Sequence, residues 1–155
     1  MEMTGEQLVP LSQDATWRAL NDTAILKECI PGCESMEQTG DNEYQLVMLA
    51  KVGPVSAKFK GKMTLAEIDA PNSYKLVFEG QGGVAGFAKG QADVRLAPEN
   101  EATRLSYAVK AMVGGKLAQV GSRLIDGVAR KTAEQFFSAF NQRASGAPQR
   151  SAPAQ

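Results

Sequence analysis

Residues 114–143 read GGKLAQVGSRLIDGVARKTAEQFFSAFNQR. Leu117, Val120, Leu124, Val128, Thr132, Phe136 and Phe140 step by three or four, with Ile125 and Phe137 alongside, which is the spacing of one helical face. A helix of about 25 residues here would be roughly 38 Å long. The sequence before it has a different period. In YQLVMLAKV (44–52), Tyr44, Leu46, Met48, Ala50 and Val52 share one face. In VSAKFKGKMTL (55–65), Val55, Ala57, Phe59, Gly61, Met63 and Leu65 point one way and Ser56, Lys58, Lys60, Lys62 and Thr64 the other. This alternation predicts half-buried antiparallel strands. SYKLVFEG (73–80), QADVRL (91–96) and TRLSYAVKAMV (103–113) continue it, separated by short turns. A sheet with one apolar face needs a cover, and the long helix is the only large one available. A curved sheet wrapped on one helix can enclose a cavity.

The first 40 residues supply the remaining elements. Thr4 to Pro10 reads as a strand. Ser12 or Asp14 can cap a short helix carrying Trp17 and Leu20. Thr23 can cap a second, TAILKEC, which Pro31-Gly32 stops. The last stretch, ASGAPQRSAPAQ (144–155), has no core pattern and reads as a disordered tail, leaving residues 1–143 as one domain.

Composition removes several kinds of function. Seventeen basic residues balance seventeen acidic ones, so no overall field draws in nucleic acid. The chain has no histidine, which excludes a Ser-His-Asp or Cys-His mechanism within it and removes the commonest nitrogen ligand for metals. MEMTGEQLVP is too polar for a signal peptide, and no apolar run is long enough for a membrane-spanning helix. The expected compartment is the cytoplasm. No catalytic residue and no metal-ligating set is assigned.

Cys29 and Cys33, in CIPGC, are the only two cysteines. Two thiolates do not complete a tetrahedral zinc site, and the spacing is not the CxxC of a thioredoxin-type motif. A disulfide is sterically conceivable across the Pro-Gly turn, but a reducing cytoplasm disfavours it. Inward packing of two small, soft side chains is the preferred reading.

The glycines leave two readings open. Gly121 and Gly127 fall inside the expected helix, each costing about 1 kcal/mol relative to alanine. They permit either close backbone packing or room for a ligand. In QGGVAGFAKG (81–90) the glycines join antiparallel strands, which excludes a phosphate-cradling loop and suits a bulge or mobile hairpin at a cavity mouth. The Lys51, Lys58, Lys60, Lys62 ridge is an ordinary solvated face or a docking surface for an acidic partner or anionic lipid. Three phenylalanines at 136, 137 and 140 are too many for one side of a helix, so at least one is expected at the surface.

LKECIPGCES, KVGPVSAKFKGKM, GQGGVAGFAKGQADVRL and VGGKLAQVGSRLIDGVARKTAEQFF, in that order, resemble the G-subunit family of carbon monoxide dehydrogenase over about residues 1–143. The resemblance implies an α+β helix-grip fold: a seven-stranded curved antiparallel sheet around the C-terminal helix, with a hydrophobic cavity between, as in START domains and polyketide cyclases. It implies a gate at Cys29, Ile30, Pro31, Gly32 and Cys33, opposed by the Gly83 hairpin with Phe87 as a lid. Phe59, Met63, Phe78 and Tyr107 are the expected wall on the sheet. Leu117, Val120, Gly121, Leu124 and Val128 are the expected wall on the helix. It also implies a non-catalytic role beside a molybdenum hydroxylase of the carbon monoxide dehydrogenase type, at the cytoplasmic face of the membrane. The expected ligand is a quinone or lipid, with no covalently bound cofactor. An assembly factor without a ligand and a cyclase-like enzyme are the alternatives; the second has only Tyr44, Tyr74, Tyr107 and Thr132 to work with on the inward faces.

Overall fold

The computed structural model describes the backbone of residues 1–151 and the side chains of residues 1–144. Seven strands form one antiparallel sheet: β1 (Glu2–Val9), β2 (Cys33–Gly40), β3 (Glu43–Val52), β4 (Val55–Asp69), β5 (Ser73–Gln81), β6 (Phe87–Glu99) and β7 (Ala102–Gly114). Their order is β1-β7-β6-β5-β4-β3-β2, so all strands after β1 form a continuous meander and β7 returns to pair with β1. Tight hairpins set the register. Asp41-Asn42, Gly53-Pro54 and Asn100-Glu101 each separate a paired couple of strand residues, with Asn42, Gly53 and Asn100 at positive φ. The lysine ridge lies outward and exposed, as the alternation predicts.

β2 is the strand that periodicity misses. Its sequence, CESMEQTG, is polar because it is an exposed edge strand with two register irregularities. Between β1 and β2 lie α1 (Gln13–Leu20) and α2 (Thr23–Cys29). Ser12 caps α1, its Oγ accepting from the Ala15 N–H at 3.2 Å. The cap of α2 is Asp22 rather than Thr23. The Asp22 carboxylate accepts from the Ala24 and Ile25 N–H groups and sits where the helix dipole favours an anion.

The C-terminal helix differs from expectation at both ends. β7 runs to Gly114, a single turn α3 (Lys116–Gln119) follows, and α4 begins at Ser122. Gly115 and Gly121 stand at φ +72 and +98, conformations that end a right-handed helix. Gly121 is therefore the break before α4, not part of its interior. α4 continues to Ser151, past the boundary expected at 143; the part of the expected disordered tail at 152–155 lies outside the described residues.

α4 lies on the concave side of the sheet. Phe140, 1% exposed, and Phe137 join Val9, Leu20, Cys29, Tyr74, Val94, Leu96 and Leu105 in the core. Phe136 stacks on Phe140 and meets Phe137 edge-on, so none of the three is exposed. Residues 136, 137 and 140 span only about 100° of the helix, and the sheet curves far enough to bury that arc. Arg143 pairs with Glu28 and ties α4 to α2.

Gly127 fits neither reading of its role. It is exposed, and a Cβ built there meets nothing within 4 Å. It therefore neither allows close packing nor makes room in the interior. Gly127→Ala is expected to stabilise the protein by about 1 kcal/mol, raising Tm by about 2–4 °C in a thermal melt. An unchanged or lower Tm would show that the glycine has a purpose the packing does not reveal.

Candidate functional site

Between the sheet and α4 lies an apolar cavity with two lobes. The main lobe, about 430 Å³, is walled on the sheet side by inward residues of β3 to β7, including Tyr44, Met63, Leu65, Tyr74, Phe78 and Tyr107. Ala129, Thr132, Ala133, Phe136 and Phe137 of α4 form the opposite wall. A second lobe of about 320 Å³ runs along β3 and β4 past Leu46, Met48, Ala50, Val52 and Phe59 to Leu117 of α3. Ile30, Met63, Leu76 and Phe78 line both lobes, so the two share a wall. Hollows of about 690 and 500 Å³ on the outer face of the sheet are larger, but they are lined by charged and polar side chains, among them Lys60, Lys62, Glu79, Lys89 and Lys110. The concave side offers the apolar lining that suits a small hydrophobic molecule.

The expected site residues divide. Ile30, Pro31, Met63, Phe78 and Tyr107 line the main lobe, and Phe59 and Leu117 line the second. The others lie off the wall. Cys29 ends α2 and is buried in the core cluster. Cys33 opens β2, and its Sγ contacts the Ser35 carbonyl at 3.3 Å, so the two thiols do not pack inward as a pair. Gly32 is a structural joint: its carbonyl accepts from the Leu49 N–H at 2.9 Å, docking the turn on β3. Gly83 starts a single 3-10 turn at φ +61 with nothing near its Cβ position. Phe87 lies across Gly114, its ladder partner, with the Lys89 ammonium 6.0 Å from the ring centre; this holds it as part of the sheet rather than as a lid. Val120 and Gly121 form the break before α4, and Leu124, 39% exposed, packs over Gly53. Val128 is half-buried beside the wall residue Ala129.

Met1, Met3, Ala129 and Ala133 are wall residues that the sequence does not single out, while Phe136 and Phe137, read there as part of the helix's apolar face, also line the lobe. The helical ones follow from the spacing once the phase of α4 is known: 129, 132, 133, 136 and 137 make one stripe.

The chemistry of the wall is plain. The main lobe carries the hydroxyls of Tyr44, Tyr74, Tyr107 and Thr132 and no charged side chain. Lys62 and Glu79 touch the second lobe from outward strand positions, where their side chains are exposed. Burial, and then the neighbouring Tyr44, push the Tyr74 phenol far above its ordinary range, so it is a neutral donor. Trp17 meets the Tyr74 ring edge-on at 5.4 Å and fixes it. Among the described residues there is no group of three or more His, Cys, Asp or Glu able to hold a metal ion.

Both cysteines are free thiols. Burial pushes both upward in pKa; at Cys33, nearby Lys27 and a backbone hydrogen bond from Ser35 partly oppose it. Fewer thiolates mean slower alkylation. With iodoacetamide near pH 8, Cys33 is expected to label first and Cys29 only on unfolding, as followed by peptide mass spectrometry. Equal rates in the folded protein would contradict this geometry.

Residues 5–145 match the carbon monoxide dehydrogenase G-subunit family, CoxG. The chain belongs to that family. Among solved structures, this CoxG-family protein is similar to a conserved protein from Geobacillus kaustophilus, at 31% identity and TM-score 0.88 over 94% of this chain and 95% of that one. A START superfamily protein from Mycobacterium smegmatis matches at 14% identity and TM-score 0.69, over 93% and 97% of the two chains. The Zhui aromatase/cyclase from a Streptomyces species matches at 12% identity and TM-score 0.68, over 94% of each. These two likenesses show the helix-grip fold. Among curated proteins no match is found. No helix among the described residues of this CoxG-family chain is long and apolar enough to cross a membrane.

Proposed function

We propose that this CoxG-family protein is a non-catalytic carrier of a quinone or lipid, coupling a molybdenum hydroxylase of the carbon monoxide dehydrogenase type to the cytoplasmic membrane. The observation that carries the proposal is the two-lobed apolar cavity, walled by Met, Leu, Phe and Tyr on the sheet and by the Ala129 to Phe137 stripe of α4. An apolar ligand gains about 25 cal/mol for each Å² of apolar surface it buries there, less the ordering cost. Membership of the CoxG family supports the link to the dehydrogenase. A peripheral, reversible contact with the membrane follows if the cargo is exchanged there.

A cyclase-like reading draws on the fold shared with the aromatase/cyclase. It needs a positioned acid or base, whereas the main lobe presents neutral hydroxyls. That difference supports the carrier.

Native mass spectrometry of gently purified protein, followed by organic extraction, tests the reading. A quinone or lipid at near-unit stoichiometry is the expected result. Empty protein that also refuses added quinones and lipids would overturn it in favour of an assembly factor.

A further inference from the structure

The buried threonine hydroxyls among the described residues are satisfied. The Thr16 hydroxyl donates to the Ser12 carbonyl and the Thr103 hydroxyl to the Leu11 carbonyl, each at 2.8 Å. Tyr44 and Tyr74 differ. They are 5% and 9% exposed, both line the main lobe, and neither hydroxyl has a hydrogen-bond partner among the described residues. Tyr44 stands on β3 opposite Met63, and Tyr74 on β5 opposite Val94, so they enter the lobe from separate strands. They are near enough for charge on one to be felt at the other. The two hydroxyls open onto the lobe rather than being sealed in, since among the described residues the only fully buried side-chain polar atom without a partner is Asn141 Oδ1; a fold that pairs its buried threonine hydroxyls with its own backbone leaves these two to whatever occupies the lobe.

We infer that Tyr44 and Tyr74 are the polar anchor of the cavity, donating their phenolic O–H groups to an uncharged carbonyl-bearing head of an otherwise apolar ligand. This rests on the carrier reading and narrows its ligand. A phenol O–H donates readily to a carbonyl oxygen. The main lobe has no cationic side chain, and the ammonium of the wall residue Met1 is engaged by the Ala111 carbonyl at 2.9 Å, so the desolvation cost of a buried phosphate or carboxylate favours an uncharged head. Water entering the empty lobe can occupy the two donors until a carbonyl displaces it. The apolar remainder of the ligand then extends along the shared wall of Ile30, Met63, Leu76 and Phe78 into the second lobe.

The test is isothermal titration of the full chain with four probes: decylubiquinone, methyl oleate, oleate and decylbenzene. They offer a quinone carbonyl, an ester carbonyl, an anionic head and no acceptor, respectively. Wild-type protein is expected to bind at least one carbonyl probe about tenfold or more tighter than decylbenzene. Tyr44→Phe and Tyr74→Phe are each expected to weaken that carbonyl probe by roughly fivefold and to leave decylbenzene unchanged. The infrared carbonyl band of the bound probe should shift towards its unbonded position in each variant. Thermal melts separate this from a structural role: removing a hydroxyl that bonds to nothing in the protein should leave Tm equal or higher, whereas loss of a structural bond would lower it. Which carbonyl probe binds tighter distinguishes a quinone from an ester lipid. Carbonyl binding and band position unchanged in both variants would overturn the anchor while leaving the carrier reading intact. Tightest binding of oleate would overturn the neutral head. Failure of all four probes on wild-type protein would remove the carrier reading and the anchor with it.

Discussion

Gly32→Ala is expected to destabilise the protein by about 3 kcal/mol, a large loss for the addition of one methyl group. Gly32 has φ +76, which costs an L residue about 1–2 kcal/mol. A Cβ there would stand 2.2 Å from the Leu49 carbonyl oxygen, and that atom belongs to β3, hydrogen-bonded into the sheet. Relief requires the turn to lift off β3, which sacrifices the Leu49 N–H to Gly32 carbonyl bond, worth about 1 kcal/mol. Urea unfolding followed by circular dichroism measures the loss as a lower midpoint at constant slope. Cys33→Ser, at the next residue and on a half-buried side chain, should stay within about 1 kcal/mol of wild type. If Gly32→Ala matched that small change, the turn would not be the rigid joint its geometry describes. Because Ile30 and Pro31 of the same turn line the main lobe, the variant should also loosen the cavity wall.

Ala133→Trp is expected to abolish ligand uptake, weakening it at least about a hundredfold, while the protein stays folded. Ala133 belongs to the α4 stripe that forms one wall of the main lobe. An indole there projects into empty space rather than into packed atoms. The usual overpacking penalty of about 1–3 kcal/mol is then largely offset by dispersion between the ring and the facing wall. A ligand is displaced instead. Each methylene kept out of the cavity costs about 0.8 kcal/mol, so excluding four of them already exceeds the factor of about a hundred. Titration with decylubiquinone and methyl oleate reads the loss, and a thermal melt checks the fold. Undiminished binding to a well-folded variant would move the ligand to another surface, such as the outer groove beside Lys62 and Lys89.

Much of the architecture was legible because two periodicities are strong. The alternation of VSAKFKGKMTL places the lysines on the outer face and Phe59 and Met63 on the cavity side. The three-four stepping of the last apolar run marks α4 as the cover. β2 was not legible, since an exposed edge strand carries no apolar alternation, and its CESMEQTG reads like a loop. The phase of α4 was not legible either. Leu124 and Val128 have the right spacing for a cavity wall, yet Gly121 breaks the chain just before α4, and the stripe that meets the lobe begins at Ala129.

The sequence by itself determined that the protein is a sheet with one apolar face and a long helix to cover it, without histidine chemistry and with a family resemblance carried by four ordered blocks. These properties are local or additive: side-chain period, turn residues and composition need no knowledge of what lies opposite. Only the tertiary structure decided which residues bound the cavity. It divided CIPGC into a core cysteine, two wall residues, a backbone joint and a strand start, because these five residues pass from α2 to β2 and meet a different neighbour at each step. It also left Tyr44 and Tyr74 in the cavity with unshared hydroxyls. That depends on two strands far apart in the chain curving over one helix, a distance in space that no pattern along the sequence encodes.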